Sequence, residues 1–594
     1  MDSPNFARSS STPSPKTLTR RLGTVARTPQ QRWQIFQPAP EVEHFAQQVN
    51  LSPLIAQVLH NRGIETLEEA QRYLNPDQLQ LPHPLAEFPD LQKSVALLKE
   101  AIAQRQKIAI CGDYDADGMT STALLLRSLK HLGAQVDYAI PSRMSEGYGI
   151  NRRIVEEFHQ DGIEIILTVD NGIAAYDPIA RAIELGLTVI ITDHHELPSQ
   201  LPPATAILNP KLLPVTSPYA SVAGVGVAYI LAITLAQELG QAKAIYPLCL
   251  ELFTLGTIAD LAPLTGVNRR WLKRGLSRLP HSELAGIQAL IQVSGVNDRQ
   301  KTLKPEDIGF RLGPRINAIG RLSDPQIVIE LLTTDEPGIA LEQAMKCEQI
   351  NRRRQELCEQ ITQEAIEIIE PQKKSLYDDR VLLLVQPGWH HGVIGIVASR
   401  LVERYGVPVF IGTHEDEDCI RGSARGIPEF HVFEALEYCD SVLGKYGGHK
   451  AAGGFSLPRK NLDLFQAQLS EFAHHCLQPQ WLKPLVRIDG LAEFSQLDLD
   501  LYHQIDRLHP CGIENDLPIF WTPDVRILEQ KIVGKGHIKL TLTEEKSKRI
   551  LKAIAWRWHD YFPLPSRLDI AYSLRENTWN GNTTLELELV GARI

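Results

Sequence analysis

From Lys107 onward the chain alternates short β-branched runs with helical segments. KIAIC (107–111) is followed by a turn and the helix-patterned MTSTALLLRSLKHLG, then by QVDYAI, IEIILTV, a helix around Tyr176–Leu185, and LTVIIT. Continuous apolar runs of this kind belong to strands buried on both faces, so the stretch predicts a mostly parallel sheet with helices on either side. Two further helical stretches follow, SVAGVGVAYILAITLAQELG and Ala244–Ile258. Residues Glu336–Glu370 read as one long helix, with Leu341, Ala344, Met345, Leu357, Ile361, Ala365 and Ile368 as its apolar stripe. Pro337 near its start and Pro371 beyond its end bound it. A new α/β unit opens at VLLLVQ (381–386), with a helix containing VIGIVASRLVERYG and the strand VPVFIG. Past about Pro484 the pattern changes to short alternating strands, HIKLTLTE, RILKAIAW, LDIAYSL and TTLELELV, which predict a small all-β barrel or sandwich.

The expected organisation is a tail over 1–30, a parallel-sheet domain over 50–335, a connecting helix over 336–370, a second α/β domain over 371–483 and an all-β domain over 484–594. A length of 594 residues suits about four domains. Apolar residues at 43% and charged residues at 22% describe a folded chain, neither largely disordered nor embedded in a membrane. The first 30 residues, rich in Ser, Thr, Pro and Arg, are expected to be disordered or to act as a basic arm. They lack the apolar core of a signal peptide, and the longest apolar stretch, Val225–Leu235, is too short to span a bilayer, so a cytoplasmic protein with no membrane partner is expected. The eight cysteines form no C-x-x-C pair, which predicts free thiols in a reducing compartment and no structural zinc site. Solenoid-period repeats and P-loops are missing from the sequence, which excludes a nucleotide-driven motor. A net charge of −10 excludes a non-specific nucleic-acid coat protein, so a nucleic-acid substrate would need a local basic channel or bound metal ions.

The chemistry concentrates where strands end. ICGDYDADGMTS places Asp113, Asp115 and Asp117 at alternate positions between a strand and a helix. Carboxylates so close repel one another unless a cation or protons neutralise them. A calcium EF-hand loop begins similarly but fails here, because its twelfth position is Leu124 instead of a bidentate Glu and a strand precedes it. The alternative is a catalytic metal site at the carboxyl edge of the sheet, where open α/β folds bind ligands. Two more strands deliver Asp170 (TVDNG) and Asp193, His194 and His195 (TDHH) to that edge, and FTLGTIADLAPL adds Asp260. Carboxylates with imidazole and no thiolate suit Mn²⁺ or Mg²⁺. Two such ions are equipped for phosphoester hydrolysis.

These motifs, GDYDADG, TVDNG, DHH and GTIADLAPL in order, resemble those of the DHH phosphoesterase superfamily. GPRINAIGRL (313–322), RGSARG (421–426) and YGGHKAAGGF (446–455) are similar to the RecJ branch and its DHH-associated second domain, while LHPCGIENDLPIF and VGKGHIKLTL resemble its oligonucleotide-binding (OB) fold. The resemblance covers roughly residues 50–594. It implies that Asp115, Asp117, Asp170, His194 and Asp260 hold two divalent ions with Asp113 beside them, that His195 contacts the scissile phosphate, and that Asp193 orients the pair. Ser423, Arg425, Gly447, Gly448 and His449 match substrate-binding motifs. Arg143, Arg315 and Arg321 are candidates for gripping a 5′ phosphate. In the terminal β region Cys511 and Glu514 replace the aromatic and the second glycine of the family pattern. Trp521, Trp556, Trp558 and Tyr572 are candidates for base stacking or for core.

The resemblance implies an exonuclease acting from the 5′ end of single-stranded DNA in repair and recombination, monomeric, with a groove too narrow for a duplex. A single-stranded-DNA-binding protein and a helicase are its expected partners. Two alternatives are a DHH phosphodiesterase for short oligonucleotides or cyclic dinucleotides, and a non-catalytic replication scaffold.

Overall fold

The computed structural model describes residues 28–142, 147–296, 302–534, 536–579 and 582–594. The expected tail up to residue 27 and Arg143 lie outside the described residues. The chain forms two compact units, a larger one of residues 31–490 and 500–518 and a smaller one built from Leu491–Leu499 and Ile519–Ile594.

In the larger unit five parallel strands run in the spatial order Gln135–Ala139, Lys107–Cys111, Ile165–Val169, Thr188–Thr192, Ala206–Leu208. Each of the four predicted strands is present, and Ala206–Leu208 extends the sheet. Alternate residues explain why the runs are apolar throughout. Ile108, Ile110, Leu167 and Ile190 face a core shared with helices Ala116–His131, Gly224–Glu238 and Ala242–Ala259. Ala109, Cys111, Ile166, Val189 and Ile191 face helices Arg152–Gln160 and Tyr176–Glu184. Among the described residues, helix Ala242–Ala259 is long and apolar enough by length and composition alone to match a membrane span, although Lys243 and Glu251 interrupt it. It is a core helix here, packed on Ala116–His131 and Gly224–Glu238, with Glu251 bonded to Ser282 and Arg278.

The long helix is Pro337–Ile369. Ala340, Ala344 and Cys347 belong to the first core, whereas Cys358, Ile361, Ala365 and Ile369 belong to a second, so one rigid rod is shared by two hydrophobic bodies. Met345, expected in the apolar stripe, is 60% exposed. It sits next to the buried Ala344, about 100° further round the helix, and so falls off the buried face. The second body carries a mixed sheet in the order Tyr446–Gly448, Ala452–Pro458, Cys419–Arg425, Val409–His414, Leu382–Val385. Helix His391–Tyr405 packs on it over a core that includes Phe410, Phe430, Phe455 and Phe465.

Residues 500–518 pack into the larger unit. Arg269 donates to the carbonyls of Leu508 (2.9 Å) and Pro510 (3.2 Å), and Arg62 to Asn515 Oδ1 (2.8 Å). Cys511 is buried, and Glu514 takes the left-handed conformation (φ 57°) at the family's glycine position. Within the smaller unit, strands Phe520–Val533, His537–Thr543, Ile550–Ala555, Asn582–Arg593 and Arg567–Trp579 pair in that order, and the last pairs back onto the first to close a barrel. Ile538, Leu540 and Leu542 fill its interior, as alternation requires. Tyr572 is core, sharing a 2.7 Å hydrogen bond with Thr522, so it presents no face to a base. Trp521 lies under Arg593 and Trp558 is half-buried, while Trp556 is exposed with Arg575 over its ring.

Candidate active site

Numbered along the chain, the strand order is 2-1-3-4-5, and the connections change direction between the first strand and the third. Ligands of open α/β sheets bind at this switch point, beyond the carboxyl ends of the strands. Asp113, Asp115 and Asp117 follow the first strand, Asp170 the third, and Asp193, His194 and His195 the fourth. Asp260 joins them from the end of helix Ala242–Ala259.

Three sets of ligand atoms each lie within 4.8 Å of one another: Asp117, His194 and Asp260; Asp113, Asp115 and Asp170; and Asp170, His194 and His195. The first two share no residue and define two adjoining centres. His194 Nε2 stands 3.1 Å from Asp170 Oδ1 and 3.6 Å from Asp117 Oδ2. Asp115 caps its own helix by accepting from Gly118 N (3.0 Å). Asp117 receives the N–H groups of Gly224 and Val225, both at 2.7 Å, so the positive end of helix Gly224–Glu238 points at its carboxylate. Residue 224 must be glycine for this approach, since a Cβ there would stand 2.9 Å from Asp117 Oδ2 and from Asp170 Cβ. Asp170 is held at φ 59°, a conformation that Asp tolerates better than most residues and that turns its carboxylate toward the others.

Asp193 behaves differently. Its oxygens accept from the backbone of Ile173 (2.9 Å), His194 (2.7 Å) and His195 (3.1 Å), and from His195 Nδ1 at 2.7 Å. Burial alone would raise its pKa, but the His195 hydrogen bond and charge bring it below the ordinary value. In return, although burial opposes its charge, His195 is raised by Asp193. Burial and the neighbouring His195 lower His194 to about 4, leaving a neutral imidazole suited to a metal. Among the acids, burial and then Asp115 raise Asp113, and raise Asp117 to about 7; burial and then Asp117 raise Asp170 and Asp260.

This is a site built for cations. Both oxygens of Asp113 and Oδ1 of Asp170 are buried without a well-formed hydrogen bond, although the Tyr114 and Asp115 N–H groups lie near Asp113. Such acceptors are costly unless an ion or proton meets them. Oxygen-rich sets with one imidazole and no thiolate fit Mn²⁺ or Mg²⁺.

Three positioning residues carried no sequence signal strong enough to single them out. Asn171 ties the ends of the first and third strands together, donating to Cys111 O (3.0 Å) and Val169 O (2.9 Å) while accepting from Ile150 N (3.0 Å). Asn317 accepts from Ala116 N (2.9 Å) at the start of the metal loop's helix. Tyr148 has a half-exposed ring and an inward hydroxyl that donates to Asp170 O and approaches both His195 nitrogens (3.2 and 3.3 Å).

Residues of the second body close the other side. His449 stacks on His195 with centroids 6.1 Å apart and planes at 22°. Gly448 pairs with Gly453 in the hairpin, where a Cβ would strike Ala452 O at 2.4 Å. Ser423 and Arg425 share one strand, and Arg425 Nη1 donates to Ala424 O (2.8 Å). The two candidate arginines separate: Arg315 is paired with Glu348 (2.7 Å), whereas Arg321 donates to Gly392 O (3.1 Å), where the two bodies meet.

Fold and site together define a DHH-family phosphoesterase. Residues 107–257 match the DHH family, N-terminal domain, 378–475 the DHHA1 domain, and 488–591 the RecJ OB domain. The chain is 35% identical over 570 residues to the single-stranded-DNA-specific exonuclease RecJ of Bacillus subtilis, covering 95% of this chain and 71% of that one. Crystal structures of Thermus thermophilus RecJ superpose with TM-scores of 0.80 (with Mn²⁺, 30% identity) and 0.75 (with Mg²⁺, 29% identity). Each covers 95% of this chain, and 80% and 79% of the relative respectively. The chain belongs to the RecJ family.

Proposed function

We infer that the protein is a metal-dependent exonuclease specific for single-stranded DNA, releasing nucleotides from the 5′ end. The observation that carries this reading is the pair of adjoining sets at the sheet's switch point, one of carboxylates with an imidazole and one of carboxylates alone, with buried carboxylate oxygens that lack well-formed hydrogen bonds. Two divalent ions bound there would lower the pKa of an attacking water and offset charge on the phosphate. Asp115, Asp117, Asp170, His194 and Asp260 would hold them, with Asp113 completing one set. Asp193 keeps His195 oriented and raises its pKa, so that the ring can donate to a phosphate oxygen at the scissile position. His449, opposite His195, supplies a second contact to the same backbone. The Gly447–Gly448 hairpin lets backbone N–H groups approach an anion, and Ser423 and Arg425 extend the phosphate track.

Of the terminal-phosphate candidates, Arg321 is favoured by its position at Gly392, where the two bodies meet, while Arg315 lies against Glu348. Close approach of the two walls at His195 and His449 supports a slot that admits one strand and not a duplex. The barrel belongs to a fold that binds oligonucleotides, and Trp556 offers an exposed ring for stacking. Work in DNA repair and recombination, beside a single-stranded-DNA-binding protein and a helicase that expose ends, follows from this activity. Eight cysteines that form no disulfide favour a reducing compartment, the cytoplasm.

The test is a long strand labelled separately at each end, incubated with Mn²⁺, Mg²⁺ or EDTA beside a blunt duplex. Immediate release of the 5′ label as mononucleotide, stepwise shortening from the 3′-labelled strand and a spared duplex are expected, all lost in Asp117→Ala. Cleavage confined to oligomers of a few nucleotides would overturn the reading.

A further inference from the structure

The two adjoining centres are anchored by different parts of the fold. Asp117, which belongs with His194 and Asp260, is buried and fixed by the N–H groups of Gly224 and Val225. Asp115, which belongs with Asp113 and Asp170, is only half-buried. Among the described residues its carboxylate receives one hydrogen bond, from Gly118 of its own loop to Oδ1, which leaves Oδ2 to a cation. A carboxylate held in this way is only as well placed as the backbone that carries it.

That backbone is held from outside the loop. Ala116 opens helix Ala116–His131, and an N–H at the start of a helix has no partner within it. Asn317, 201 residues further along the chain, supplies one, its Oδ1 accepting from Ala116 N at 2.9 Å. At the other edge of the same peptide unit Asp115 O accepts from Met119 N (2.9 Å), so the plane between Asp115 and Ala116 is gripped on both sides. The preceding carbonyl, Tyr114 O, lies against Gly320, one turn beyond Asn317, where any Cβ would overlap it. Helix Gly313–Leu322 is itself tied down, by Arg315 to Glu348 on the long helix (2.7 Å) and by Arg321 to Gly392 O (3.1 Å). Two consecutive peptide units of the metal loop are therefore laid against a fixed helix that contributes no metal ligand.

We propose that Asn317 is a positioning residue for one of the two ions: it fixes the Asp115–Ala116 peptide and so aims Asp115 at the centre shared with Asp113 and Asp170. Without the Asn317 side chain that peptide is free to rotate and the Asp115 carboxylate swings with it, while Asp117 keeps its own two N–H anchors. The two centres then part company, one binding as before and the other weakly. The proposal rests on the metal-dependent reading above and names a residue on which half of that centre depends.

The experiment titrates Mn²⁺ calorimetrically into the full chain and into its variants Asn317→Ala and Asn317→Asp, the second of which keeps an oxygen acceptor toward Ala116 N. Electron paramagnetic resonance reports the occupancy independently, because two Mn²⁺ ions in adjoining centres couple and lose the resolved hyperfine lines of an isolated ion. The unmodified protein should bind two ions with a coupled spectrum. Asn317→Ala should bind one ion with unchanged affinity, which shows that it is folded, and the other about 10–100-fold more weakly, with the spectrum of an isolated ion. Asn317→Asp should restore the second ion. At a Mn²⁺ concentration that fills both centres of the unmodified protein, kcat of Asn317→Ala should fall about 10–100-fold with KM within about twofold, and added Mn²⁺ should recover it. Two ions held by Asn317→Ala as tightly as by the unmodified protein would overturn the proposal, as would equal weakening of both ions or a second ion still missing in Asn317→Asp. An unmodified protein that binds fewer than two ions would strike the two-ion reading and the proposal with it.

Discussion

Replacing Asp117 by Asn should stabilise the metal-free protein while abolishing its activity. Asp117 is fully buried among other acids, and its pKa rises from 3.8 to about 7. Between those values the folded state holds a proton that the unfolded state has released, so stability falls as pH rises through this window. The full penalty, reached above pH 7, is about 4 kcal/mol. At pH 5 only about 1–2 kcal/mol of it has developed. Asparagine removes the charge but also an acceptor. One of the two N–H groups now met by the carboxylate, from Gly224 or Val225, would face the amide nitrogen. That loss costs about 1–2 kcal/mol at any pH. In EDTA, Asp117→Asn should therefore be more stable than the unmodified protein by about 2–3 kcal/mol at pH 8, a rise of a few degrees in the melting temperature of the larger unit, and nearly equal to it at pH 5. With Mn²⁺ the order should reverse, because only the native carboxylate gains from the ion. Calorimetry at the two pH values, with and without Mn²⁺, measures all four states. A metal-free variant less stable than the native protein at pH 8 would refute the claim that this carboxylate is strained until a cation arrives.

Mn²⁺ affinity should rise between pH 6 and pH 8, since protons held by the raised Asp113, Asp117, Asp170 and Asp260 compete with the ion; titration calorimetry in buffers of different ionisation enthalpy should show proton release. Asp193→Asn should lower kcat by about 10–100-fold, because His195 loses the partner that orients it and raises its pKa, while the Mn²⁺-induced thermal shift persists. Gly224→Ala should weaken Mn²⁺ binding at least about tenfold by pushing a Cβ against Asp117 and Asp170, seen by the same calorimetry. Arg315→Ala should cost about 1–2 kcal/mol of stability by removing one of the two arginines that hold Glu348, Arg352 remaining, and leave the ratio of rates on 5′-phosphate and 5′-hydroxyl strands unchanged, whereas Arg321→Ala should lower that ratio.

Much of this protein is written locally. Strand Lys107–Cys111 and its three parallel companions were legible because a sheet buried on both faces demands unbroken apolar runs, and the acids at their ends because a turn leaving a strand tip is short. The long helix was legible from its three-to-four spacing and bounding prolines. Ordered motifs pointed to Asp113, Asp115, Asp117, Asp170, His194 and Asp260, and these residues meet. What the tertiary structure decided concerns partners far apart in sequence, which periodicity does not encode. It set the 2-1-3-4-5 order that brings Asp170 beside Asp117, and it placed His449 on His195. It also committed Arg315 to Glu348, left Met345 in water where the long helix passes between two cores, and docked residues 500–518 in the larger unit rather than the barrel. Local pattern states which face of an element is apolar; which element covers that face, and which charge finds which counter-charge, is settled only when the chain closes on itself.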